Sequence, residues 1–135
     1  MRNAAAIPFP TEPSWLTETL PRAAPDAGVS RTPYVDLAAL ADGTVIAVGA
    51  GGLIAARRGD AWALEHEGGP ALLDVWGAGA TAVAVGDTGT VLIFEGGRWT
   101  ERSTPSTDPL AAVHGLDDSS FVAVGARGTI IEGRR

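Results

Sequence analysis

Two histidines, one tyrosine and no cysteine are what 135 residues offer to the commonest forms of side-chain catalysis. Without a thiol there is no cysteine nucleophile, no disulfide framework and no thiolate metal site. His66 lies between Glu65 and Glu67, and His114 stands far along the chain. The pair has neither helical nor finger-like spacing, so no metal site and no cofactor are expected. Asp117-Asp118 before Ser119-Ser120 carries oxygens that suit calcium, yet Asp and Ser together are first of all turn formers. No Gly-x-Ser-x-Gly elbow surrounds a serine, and no triad is evident. Gly86-Asp87-Thr88-Gly89 is not a phosphate loop, because neither Lys nor a helix follows it. Arg58-Gly59-Asp60 spells an integrin-binding tripeptide and reads as a hairpin turn.

Four side chains remain as candidate ligand contacts: Trp76, His114, Asp87 and Arg127. A lone aromatic at a channel mouth can stack on a ligand. What could gather these four is an internal repeat, and the sequence contains one. Val45-Ile46-Ala47-Val48-Gly49, Ala82-Val83-Ala84-Val85-Gly86 and Phe121-Val122-Ala123-Val124-Gly125 match each other. Each is followed by two residues and a further glycine: Gly52, Gly89 and Gly128. Upstream, Leu37 to Leu40 aligns with Leu72 to Val75 and with Leu110 to Val113. Downstream of the first two, Ile54 to Arg57 and Val91 to Phe94 lead through a glycine turn to Trp62 and Trp99.

Each unit reads as four short strands. The Leu-rich segment is the first, apolar enough to be buried on both faces. The Ala-Val-Gly segment is the second, and its glycines supply positive φ for a tight turn to the third. Gly59-Asp60 and Gly96-Gly97 are hairpin signals ahead of a Trp-bearing fourth strand. Trp15, Trp62 and Trp99 recur at matching places and read as packing anchors rather than sugar platforms. No stretch holds a helical period, and this density of Gly and Pro would break one.

The pattern resembles bacterial β-propeller repeats of the Leu-x-x-Val-Trp-Gly and Ala-Val-Gly-Asp-x-Gly-Thr type. These are related in style to photosystem II assembly-factor propellers and to BNR, or Asp-box, repeats. Leu72-Leu73-Asp74-Val75-Trp76-Gly77, Ala84 to Thr90 and Glu95-Gly96-Gly97-Arg98-Trp99 carry the resemblance. In the outer units Ala41 and His114 take the place of Trp76, Ala50 and Ala126 that of Asp87, and no full Asp-box occurs. The resemblance spans about residues 34 to 135. It implies an all-β propeller of about three four-stranded blades per chain, and such folds host unrelated tasks. Sialidases with these repeats need an arginine cluster, an acid and a tyrosine nucleophile. Tyr34, the sole tyrosine, precedes the first strand instead.

The formal charge is −6 and every basic side chain is Arg. That balance argues against nucleic acid and against anionic membrane surfaces as partners. No apolar run approaches the ~20 residues needed to cross a bilayer. Prolines at 8, 10 and 13 interrupt the start, so no signal peptide and a cytoplasmic location are expected.

The blades are expected at 34–70, 71–109 and 110–135. Residues 1–33 supply a Trp-bearing strand at about 14–19 and a Pro-rich loop, and the third blade lacks its outermost strand. Three blades are fewer than the roughly four to eight of single rings. The expectation is a head-to-tail homo-oligomer. Trp15 and Leu16 of one chain would complete the blade that ends at Ile130 and Ile131 of the next. Two chains give six blades, inside the usual range, and three give nine, so a homodimer is the expectation; a fragment of a longer propeller is the alternative. The expected function is a non-catalytic interaction or scaffold module with an unknown protein partner. A small propeller lectin binding glycan is the alternative, and a glycoside hydrolase the third reading.

Overall fold

A computed structural model describes residues 34–117 and 119–134. Trp15, Leu16, the expected strand at 14–19, the loop at 21–33 and Asp118 lie outside them. The described chain is all-β. Strands β1 (Tyr34–Ala39), β2 (Val45–Gly49), β3 (Ile54–Arg58) and β4 (Ala61–His66) form one antiparallel meander. Strands β5 (Leu72–Ala78), β6 (Thr81–Gly86), β7 (Val91–Glu95) and β8 (Arg98–Arg102) repeat it. Strands β9 (Leu110–Asp117), β10 (Ser120–Gly125) and β11 (Ile130–Arg134) give a third sheet, with three strands among the described residues. None of the sheets closes into a barrel.

The second sheet lies between the other two, and strand alternation makes this possible. Along β6, Ala82 and Ala84 face the first sheet, where they meet Ile46, Val48, Ile54 and Ala56. Val83 and Val85 face the third sheet and meet Leu110, Val113, Phe121 and Ala123. Side chains two apart share a face, so an unbroken apolar run is what a strand buried on both sides requires. β7 does the same, with Leu92 and Phe94 toward one neighbour and Val91 and Ile93 toward the other. Each such side chain contributes roughly 1.5–3 kcal/mol by leaving water. The strands that open the sheets, β1, β5 and β9, lie side by side.

Between the second and third strands of each sheet the chain makes a short 3-10 turn: Ala50–Gly52, Asp87–Gly89 and Ala126–Gly128. Its middle and last residues have positive φ, with Gly51 at 68°, Thr88 at 57° and Arg127 at 61°. The last is glycine in every copy. The glycine before the turn serves differently from the expectation. Gly86 is extended, at φ −169°, and is needed because the Ala71 carbonyl passes against it.

Two alignments from the sequence need correction. β2 pairs through Ile46 with Ala38, as Val83 pairs with Trp76 and Val122 with His114. Ala38, not Ala41, therefore occupies the place of Trp76, and Leu37 matches Val75 rather than Leu72. Tyr34 opens β1 instead of preceding it. The shift arises in the turn that follows. Ala39 and Val45 are joined by residues 40–44, Ala78 and Thr81 by residues 79–80 alone.

Candidate functional site

Trp76 sits on β5, half-buried, and packs into the core between the second and third sheets. Its ring lies against the backbone of Gly115 on β9, where a Cβ would come within 2.0 Å of it. His114 is the next residue along and is exposed, its ring centroid 6.3 Å from that of Trp76 at 57°. The structure thus brings these two candidates together, with the indole serving as a spacer between sheets.

Asp87 and Arg127 stand in corresponding turns of adjacent sheets; Asp87 bonds through its backbone and Arg127 through its guanidinium. The Asp87 amide donates to the Ala71 carbonyl at 2.9 Å. Its own carbonyl accepts from the Thr90 amide at 3.1 Å and from the Thr88 and Thr90 hydroxyls at 2.6 and 2.7 Å. The Arg127 guanidinium pairs with Asp108, in the link from β8 to β9, while the other Asp108 oxygen accepts from the Thr129 hydroxyl at 2.8 Å. Arg127 therefore fastens its own turn to the incoming link. Ile131 is buried in the core with Phe121 and Ala123, whereas Ile130, on the opposite face of β11, is exposed.

The remaining polar candidates are structural. His66 Nδ1 donates to the Gly52 carbonyl at 2.7 Å, tying the end of β4 to the turn before β3. Asp117 accepts from the Ser119 and Ser120 amides, at 2.8 and 2.9 Å, and from both hydroxyls. These bonds hold its carboxyl below the ordinary range, as the Thr44 amide does for Asp42 in the first sheet. Among the described residues no group of three or more His, Cys, Asp or Glu could hold a metal ion. No helix among them is long and apolar enough to cross a membrane. Trp99 donates to Glu65 on the neighbouring sheet at 3.1 Å and packs on Phe94, with ring centroids 5.2 Å apart.

One arrangement escaped sequence reasoning. Asp36 Oδ2 accepts from the Val75 amide at 3.0 Å, and Asp74 Oδ2 from the Val113 amide at 2.8 Å. Both bonds join residues 39 apart, one repeat plus one residue. Each carboxyl thus caps the edge of the next sheet's opening strand. The signal was an aspartate inside the first two apolar opening strands, and aligning Leu37 with Leu72 concealed it.

The two carboxyls also meet each other. Burial, a hydrogen bond with Asp36 and the Asp36 charge raise Asp74 to about 6. Burial pushes Asp36 upward too, but bonds from Asp74 and from the Val75 and Leu37 backbone outweigh it and leave Asp36 below its usual value. Protonated Asp74 donating to ionised Asp36 satisfies both directions. Between an unfolded value of about 3.9 and the folded value near 6, Asp74 holds more proton folded than unfolded, so stability falls as pH rises through that window. Asp36, Asp42 and Asp117 act oppositely: their contribution is present above about pH 3.9 and is lost as pH falls through their lowered values. Thermal midpoints should therefore peak near pH 4 to 5. Asp74→Asn keeps an acceptor for Val113 and a donor for Asp36, and should flatten the decline above that peak. An unaltered decline in the variant would show that Asp74 does not cause it.

No family model matches the chain, and no curated protein matches it.

Proposed function

We propose that the chain is a non-catalytic protein-interaction or scaffold module, built as blades of a β-propeller and associating head-to-tail with its own kind. One observation carries this reading: side chains of catalytic or ligand-binding type are taken up by structural contacts, either between neighbouring sheets or between a turn and its surroundings. Trp76 separates two sheets, Asp36 and Asp74 cap strand edges, Arg127 is held by Asp108, and His66 fastens a turn. The repeated meanders and their adjacent opening strands support the blade reading. The resemblance to bacterial propeller repeats supports it further.

In this reading Trp15 and Leu16 of one copy lie beside Ile130 and Ile131 of another, supplying a fourth strand. Trp15→Ala should lower the average mass seen by light scattering more than the loop change Asp26→Ala. Equal effects would count against strand completion. Glycosidase and esterase substrates should show no turnover above buffer, and a glycan array no binding above background. Robust turnover abolished by substituting His114 or Asp87 would remove the non-catalytic reading.

A further inference from the structure

The self-association proposed above concerned a strand edge; we infer that it also uses a sheet face, on which a second copy of the chain docks through its first sheet. The inference rests on that reading and adds the surface.

The repeat supplies its own comparison. Val48, Val85 and Val124 are equivalent, as are their partners Ile54, Val91 and Ile130. In the first two sheets these residues lie under the next sheet, with exposures of 0 % for both valines and 0 and 1 % for Ile54 and Val91. In the third sheet Val124 is 42 % and Ile130 72 % exposed. The same face that twice forms an interface within the chain is bare the third time. Leu116, exposed on β9, extends the patch on that face.

The opposite end of the stack offers the complement. Leu37 is equivalent to Val75 and Val113, which are 6 and 7 % exposed beneath the preceding sheet. Leu37 is 63 % exposed, and Val35 beside it on the same face is also exposed. Further out on that face Ala47 and Ala55 are already buried. The new contact therefore forms along the opening strands, where sheets of one chain also approach each other. The occupant is a second copy because these two surfaces are the equivalents of a pair that already joins one sheet to the next within the chain. The face of the third sheet on the opening strand of another copy's first sheet is a heterologous contact, which joins unlike surfaces of two copies.

The junction between copies differs from those within the chain in one respect. Ala112 takes the place of Asp36 and Asp74, since all three pair with the equivalent valines. The Leu37 amide of the second copy, counterpart of the Val75 and Val113 amides, thus receives no carboxylate from across the junction. The contact between copies is consequently the weakest in the array, and reversible.

Sedimentation of the full chain over a concentration series tests this, with circular dichroism to confirm folding. Wild type should dimerise with concentration. Ile130→Asp and Leu37→Asp, both at exposed sites, should each weaken association by tenfold or more, roughly the loss of one buried aliphatic group. Mixing the two variants should restore a dimer, because one junction then joins two unaltered surfaces. Ala112→Asp should tighten association by roughly tenfold through the missing carboxylate bond. If wild type associates but neither aspartate substitution weakens it, the face is not used, although self-association stands. If Ile130→Asp dissociates the dimer and Leu37→Asp does not, like faces pair with like and the head-to-tail geometry is overturned. A wild type monomeric at every concentration would remove self-association itself.

Discussion

Gly86→Ala is expected to cost more than about 3 kcal/mol, in the upper range for single substitutions. The added Cβ would lie 2.0 Å from the Ala71 oxygen and 2.8 Å from Leu72 Cα. Both are backbone atoms, so no rotamer change relieves the collision. Moving them would break the 2.9 Å bond from the Asp87 amide to that same oxygen, which ties the link between sheets to the turn. The cause is steric, because Gly86 is extended and alanine adopts that conformation freely. Gly51→Ala is the matched control. Its φ is 68° and its surroundings are open, so it should lose only about 1 kcal/mol, the cost of left-handed backbone. Urea unfolding of both variants measures the difference. A smaller loss in Gly86→Ala than in Gly51→Ala would refute the close approach. Gly125→Ala should behave like Gly86→Ala, since its Cβ would lie 1.9 Å from the Pro109 oxygen.

Trp76→Ala should lose about 3 kcal/mol, the lower end for an aromatic removed from a core, because the ring is only half-buried. Gly115→Ala should be comparably damaging while Trp76 is present, since the ring occupies the space its methyl needs. With the indole gone that space is open. The double variant should therefore be more stable than the sum of the single losses predicts, by at least 1 kcal/mol or so. A ligand platform would behave differently: Trp76→Ala would leave the unfolding midpoint unchanged and affect only binding. Strict additivity in the cycle would likewise separate Trp76 from Gly115.

The second strands were legible because their alternation is written in the residues. Ala82-Val83-Ala84-Val85-Gly86 has small side chains for one neighbour and larger ones for the other, and its copies keep the central alanine, the valine after it and the final glycine, though Val45 and Phe121 replace Ala82. The turn glycines and the Asp117 turn were readable for similar local reasons. The first strand of the first sheet was not. Its turn is three residues longer than that of the second sheet, so the Leu-rich stretches align best in the wrong register. Leu40, which lies past the end of β1, was thereby matched to Val75. Trp76 and Arg127 were visible as unusual residues, but what each touches depends on contacts across the repeat, with Gly115 and Asp108. Spacing alone does not reveal these. Asp36 and Asp74 share the obstacle: each acts on the following unit, so neither forms a motif within its own.

The carboxyl caps on Val75 and Val113 bear on misassembly. An opening strand has one side free of ladder partners, and an amide aimed outward there is what a foreign strand would need to begin amyloid-like growth. A carboxylate already bonded to that amide, with charge at the same spot, makes β5 and β9 poor templates. Crowded solutions of this protein should thus resist fibril formation along those borders.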